Sequence, residues 1–311
     1  MKWWQIVGGV ILVLIIGAVV VNMLTPPAPA PTESEWDAIR AADVAVFTSE
    51  WGLPVRIAAS DAGWEDSANI TPDGQRLYFT YYPGDLLSDF STRKFVDDLD
   101  IYYSDFPFTS KVKDTRFFMA EDIWSEVGPT IDSQGNIFYN SNRDYLNDKK
   151  SDQDVWMNGE RLLFNDAIPD SEWGNPFYDE ATDTLWLDEL DTKMWMLKNA
   201  KANNFSGTPV LAPAPLQVDG YSNFQPWLSS DGLTIYFSTN RGEVPNLYGP
   251  QIYMSTRTGD TWATPKLVGY SKIGMGEATL TADGKRLYFV QLFSDGKGHY
   301  TSDMFYVERK S

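Results

Sequence analysis

The chain contains no cysteine, and that absence removes much chemistry. Disulfides, thiolate zinc sites, cysteine nucleophiles and a lipid-modified N-terminal cysteine are all excluded. A single histidine, His299, stands in a DGKGHY loop and is expected at the surface, which excludes His-based triads and multi-histidine metal sites. Basic runs are missing as well: 25 Lys and Arg face 43 Asp and Glu, for a net charge of −18. Nucleic acid binds through clustered cations that release counterions, so it is not an expected partner. No glycine-rich loop leads from a strand into a helix, so nucleotide chemistry has no support.

Long apolar runs are confined to one place. Residues 6–24 (IVGGVILVLIIGAVVVNML) carry Asn22 as their only clearly polar side chain. Nineteen helical residues at about 1.5 Å each nearly span a hydrocarbon core of roughly 30 Å. Trp3 and Trp4 stand where an interfacial aromatic belt stands, and Lys2 is the only basic residue before Arg40. Residues 1–24 therefore read as a single-pass transmembrane signal-anchor, with the rest of the chain exported to the periplasmic or extracellular side. Cleavage as a signal peptide is the competing reading; Ala28-Pro29-Ala30 has the small-residue pattern, but Pro31 follows it directly.

Residues 25–48 read as a Pro-rich linker, TPPAPAP, and a short helix over 34–47 with Trp36, Ile39, Val44 and Phe47 near one face. From residue 49 to 311 the chain is β-like and rich in aromatics, with 12 Trp, 16 Tyr and 17 Phe. One pattern recurs five times: ANITPDGQRLYFT, PTIDSQGNIFYN, PFYDEATDTLWL, PWLSSDGLTIYFS and ATLTADGKRLYFV. The copies begin at 68, 129, 176, 226 and 278, so they are spaced by 61, 47, 50 and 52 residues. That is the range of a four-stranded propeller blade.

Within a copy, Asp-Gly at 73–74, 231–232 and 283–284 supplies the left-handed position of a tight turn. The LYF-type run after it is a buried strand. A third strand follows at 100–104, 154–157, 193–197, 251–255 and 303–307. A fourth is expected at 115–119, 160–164, 208–212 and 264–268. The fifth copy has no fourth strand after it. Trp51-Gly-Leu-Pro-Val-Arg-Ile57 matches Trp262-Ala-Thr-Pro-Lys-Leu-Val268, so the N-terminal strand is expected to complete the last blade and remove an open edge. The expected fold is an all-β, five-bladed β-propeller of four-stranded blades, with six blades as the alternative.

The pattern W-x-x-P…D-G-x-x-L-Y-F-x-S-x-R…D-I-Y, clearest over 225–257 and 262–306, resembles the WD40-like propeller repeat called PD40. Ser141-Asn-Arg143 and Ser238-Thr-Asn-Arg241 fit its S-x-R element, while the copy at 176–197 lacks the Asp-Gly. The resemblance covers roughly residues 50–307 and implies a TolB-like propeller. It does not imply one activity, because such scaffolds host binding and catalysis alike.

Strand order puts the Asp-Gly turns and the third-to-fourth strand turns on one face. The crossovers and the second-to-third strand loops lie on the other, the loop face, where function is usually carried. There the inner strands begin with Trp64, Glu65 and Asp66; Trp124 and Glu126; Glu172 and Trp173; Tyr221 and Phe224; and Glu277. These are the candidate ligand-binding residues. Recurring carboxylates around one mouth suit a cation such as Ca2+. Carboxylates beside tryptophan also suit sugars. In a repeat protein, the same residues equally serve to build the repeat. The leading expectation is a monomeric, membrane-anchored binding or scaffold protein of the cell envelope, meeting envelope proteins or a glycan. The alternative is a carbohydrate-active enzyme, glycoside hydrolase-like, using Glu65, Glu126, Glu172 and Glu277.

Overall fold

The computed structural model describes residues 29–92, 99–116, 125–144, 153–169, 171–242 and 249–310. Its strands form five antiparallel units, each running inner, second, third and outer strand. The first is Trp64–Ile70, Arg76–Tyr82, Asp100–Asp105 and Val112–Lys113. The second is Glu126–Ile131, Ile137–Ser141, Asp154–Met157 and Glu160–Arg161, and the third is Trp173–Asp179, Thr184–Glu189, Lys193–Lys198 and Val210–Leu211. The fourth is Asn223–Leu228, Thr234–Thr239, Gln251–Thr258 and Lys266–Tyr270. Gly274–Leu280, Arg286–Ser294 and Tyr300–Glu308 make the fifth, and its outer strand is Val55–Arg56, paired with Tyr306 and Phe305.

Each inner strand packs against the inner strand of the next unit, and the fifth packs against the first. This is a β-propeller. Stacking explains the unbroken apolar runs of the second strands. Leu77 and Phe79 pack towards Tyr288 and Val290 of the fifth unit, while Tyr78 packs towards Ile137 and Tyr139 of the second. A strand covered on both faces has no polar side to alternate with. The fifth and first units are also joined by a parallel bridge between Ser302 and Trp64.

Gly74, Gly232 and Gly284 have φ of 72°, 64° and 66°, the left-handed conformation that the Asp-Gly turns require. Two expected elements lie elsewhere. The outer strand of the first unit is Val112–Lys113, ahead of the expected 115–119, because Tyr102 and Tyr103 pair with Lys113 and Val112. The N-terminal helix is Glu33–Ala42, and Val46–Phe47 leaves it to pair with Tyr270 and Gly269. Phe47 packs edge-on against Phe289, at 5.0 Å between ring centres, from that strand. Val44, expected on the apolar face, is exposed. No helix among the described residues is long and apolar enough to cross a membrane, and the run at 6–24 lies outside those residues.

Candidate functional site

Every inner strand is broken at the same place. The ladder shifts between Asp66 and Asn69, Val127 and Thr130, Gly174 and Phe177, Phe224 and Trp227, and Gly276 and Thr279. Within each break one residue adopts left-handed φ: Ser67, Gly128, Asn175, Gln225 and Glu277. Only one of these is glycine, and left-handed conformation is uncommon for other residues. Bulges of this kind re-aim a side chain and free a backbone N–H from its ladder. All five residues line the same axial cavity.

The freed N–H groups build the joints between units. Thr80 Oγ1 accepts from Gly128 N at 3.1 Å, and Asn140 Oδ1 from Asn175 N at 3.1 Å. Asp188 Oδ2 accepts from Gln225 N at 3.0 Å, and Ser238 Oγ from Glu277 N at 3.0 Å. These four acceptors occupy one position of the second strand, opposite Asp66, Val127, Gly174 and Phe224. The equivalent residue of the fifth unit, opposite Gly276, is Val290, which has nothing to offer. Glu277 of the adjoining fifth unit offers an acceptor instead: Ser67 N donates to its Oε2, and also to Asp66 Oδ1 at 2.9 Å.

Glu277 is thereby saturated. Its Oε1 accepts from Gln225 Nε2 at 2.5 Å, and its carboxyl hydrogen-bonds that of Asp66. Burial, reinforced by the Asp66 charge, holds the Glu277 carboxyl well above its ordinary range, and burial raises Asp66 as well. Two buried carboxyls in contact repel each other when both are ionised, which favours a proton on the pair. Asn175 extends the network, donating from Nδ2 to Asp188 Oδ2 at 2.8 Å and Asp191 Oδ1 at 3.1 Å.

The other glutamates expected at the mouth do not join this pair. Glu65 lies against Lys111 Nζ at 2.6 Å, and Lys111 also holds Asp61 at 2.8 Å. Glu126 accepts from Arg143 Nη2 at 2.8 Å and Ser141 Oγ at 2.9 Å, so the S-x-R element serves its own inner strand. In the fourth unit Arg241 likewise meets Asn223, at 2.9 Å. Glu172 is half-buried just ahead of its inner strand. Trp64 is buried beside Tyr82 and Leu292, and Trp173 beside Phe164 and Leu187. Phe224 is buried next to Gln225, whereas Tyr221 is exposed. Trp124 lies outside the described residues. His299, expected at the surface, is buried against Asp295, with Nδ1 2.9 Å from Oδ2. Among the described residues no group of three or more His, Asp or Glu side chains has metal-holding geometry.

The axis opens on the turn face. A funnel of about 650 Å³, open to solvent, is bounded by Asp132, Phe177, Asp179, Glu180 and Trp227 among others. Phe177 and Trp227 stand 6.0 Å apart with tilted rings. Asp132 and Asp179 cap their own turns, accepting from Asn136 N at 2.8 Å and Ala181 N at 3.1 Å.

Glu65 makes the loop end of the axis sensitive to pH. Burial outweighs Lys111 and pushes its carboxyl up to about 8. A folded-state value above the unfolded one, about 4.3, means that its contribution is fully present below pH 4.3 and is lost as pH rises towards 8. Asp66, Asp188, Glu277 and Asp303 are raised by burial and act with the same sign. The melting temperature is expected to fall from pH 5 to pH 8, and Glu65→Gln to flatten that fall. Superimposable pH profiles for the two proteins would show that Glu65 stays charged in the folded state.

No protein-family model matches the chain, and no curated protein matches it. Solved structures do. A thermostable family-43 glycoside hydrolase is 11% identical over 82% of this chain and 92% of its own, with a TM-score of 0.48. A putative TolB from Agrobacterium tumefaciens is 14% identical over 86% and 90%, with a TM-score of 0.47. The tail fiber of Staphylococcus aureus phage P68 is 11% identical over 89% and 56%, with a TM-score of 0.44. Their names record different activities, so the likeness selects none.

Proposed function

We propose that the chain is a membrane-anchored, exported five-bladed propeller that works as a binding or scaffold protein in the cell envelope, with the turn-face funnel as its ligand seat. The observation that carries this reading is the division of labour along the axis. The loop-end carboxyls are engaged, Glu277 between units and Glu65 and Glu126 with cations of their own units, while the turn face keeps an open concavity with aromatic walls. Such concavities are where ligands are usually seated.

A glycosidase needs two carboxyls about 5–9.5 Å apart, flanking the bond to be cut. Asp66 and Glu277 are instead in direct contact. Their raised proton affinity on the axis is the one feature that favours the enzymatic reading, and it can be tested alongside the first. A photo-crosslinking residue at Ser230, on the funnel wall, is expected to give a discrete adduct in intact cells, and one at Lys297, on the loop face, none. Adducts at neither position would reject the partner reading. Hydrolysis of a glycan panel by wild type, lost in Glu277→Gln, would establish the enzyme instead.

A further inference from the structure

The helix Glu33–Ala42 is bolted to one face of the propeller. Trp36 is buried in the same apolar cluster as Met275, Phe293 and Phe305. Arg40, only 7% exposed, donates from Nε to Asp303 Oδ2 at 2.6 Å and from Nη2 to Asp61 O at 3.3 Å. Asp303 is fully buried and is held a second time by Arg56, at 2.7 Å. Past the helix, Asp43 Oδ1 accepts from Lys272 N at 3.0 Å, and Asp43 O from Gln291 Nε2 at 2.5 Å.

These partners lie in the loop-face halves of their strands or in the segments that precede inner strands. Asp303 is the fourth of nine residues in a third strand and Gln291 the sixth of nine in a second strand, each on the loop side of the middle, while Lys272 is in a crossover and Asp61 precedes an inner strand. The helix starts cleanly at Thr32, whose N–H donates to Glu35 Oε2 at 2.7 Å in a capping box. The chain therefore leaves the propeller from the loop face.

We infer that this helix sets the orientation of the propeller on its membrane, with the loop face turned to the lipid headgroups and the turn-face funnel turned away. The inference rests on the anchor reading of residues 1–24. Seven residues, 25–31, separate that run from Thr32, and four of them are proline. At about 3.1 Å per residue they reach roughly 22 Å. The inner strands, of six or seven residues, run about 20–23 Å from face to face at about 3.3 Å per residue. Turns and loops add to that, and a path from one face to the other must also pass around the rim. A tether of that reach, starting from the loop face, is too short to bring the turn face to the bilayer. The funnel consequently meets partners out in the compartment, whether soluble or carried by the opposite layer of the envelope, and it does not meet lipid.

The absence of cysteine makes the test direct. Single substitutions Lys297→Cys, on the loop face, and Lys285→Cys, on the turn face, place one fluorophore each in the full chain. Both sites are exposed. After reconstitution in phosphatidylcholine vesicles bearing nitroxide-labelled headgroups, the 297 label is expected to be quenched several-fold more than the 285 label. Adding Trp36→Ala and Arg40→Ala, which free the helix, is expected to narrow that difference. Equal or reversed quenching in protein that stays with the vesicles through alkaline carbonate would overturn the orientation while leaving the anchor intact. Release of the protein by carbonate would overturn the anchor, and the orientation with it.

Discussion

A chain lacking residues 49–58 is expected to lose its single cooperative unfolding transition, and Trp51→Ala alone to cost about 3–5 kcal/mol. Trp51 is 2% exposed and packs into the cluster that holds Phe289 and Val307. The Arg309 guanidinium stands 4.6 Å from the centre of its ring. Gly52 N donates to Glu308 O at 2.7 Å, and Val55 and Arg56 then pair with Tyr306 and Phe305. Without this segment the long third strand Tyr300–Glu308 is left as an open edge, which invites pairing between molecules. Circular dichroism melts and sedimentation of the two variants against wild type check this. Unchanged melting temperatures, with no aggregation of the deletion, would mean that the N-terminal strand is only an accessory.

Glu277→Ala is expected to cost about 1–3 kcal/mol, because it orphans one buried donor, Gln225 Nε2, and leaves Ser67 N with Asp66 Oδ1, at 2.9 Å, as its remaining acceptor. Glu277→Gln is expected to cost less, because its amide oxygen still serves one donor. A double-mutant cycle with Val290 identifies the cause. Thr80 bonds the next unit's bulge in the first joint, so Val290→Thr brings the same kind of acceptor to the fifth. In wild type that hydroxyl competes with Glu277 for Ser67 and destabilises. In Glu277→Ala it is expected to restore about 1 kcal/mol. Strict additivity in urea unfolding would show that Glu277 and position 290 do not serve the same donor.

The ring was legible because its physics is local. An Asp-Gly turn, an apolar run and a polar-capped strand recur within a few dozen residues, and Gly74, Gly232 and Gly284 adopt the conformation that their turns demand. Short outer strands were less legible. Val112–Lys113 has two residues, too few to show a period, and Val55–Arg56, equally short, was legible only through the match of residues 51–57 to residues 262–268. The axis was least legible. Ser67, Gly128, Asn175, Gln225 and Glu277 share a backbone conformation and no side-chain chemistry, so nothing in their identities marks them as equivalent. A usable signal lay elsewhere. The apolar runs LYF, IFY, LWL and IYF end in Thr80, Asn140, Asp188 and Ser238, and the fifth run ends in Val290. Glu65 and Glu126 looked like mouth carboxylates because their cations, Lys111 and Arg143, come from other strands or loops of the same unit.

Val290 also gives the ring a seam. Were all five joints alike, the propeller would have no internal origin, and a unit gained anywhere would fit its neighbours. Here a duplicate of the first, second, third or fourth unit brings its own acceptor and can be spliced in beside its parent. A duplicate of the fifth would set Val290 against a second copy of Glu277, whose backbone N–H would depend, as Ser67 N does now, on the Glu277 side chain of the first copy. A ring enlarged through the first four units would keep a second-strand acceptor at every new joint, while one enlarged through the fifth would rely on one more inner-strand glutamate.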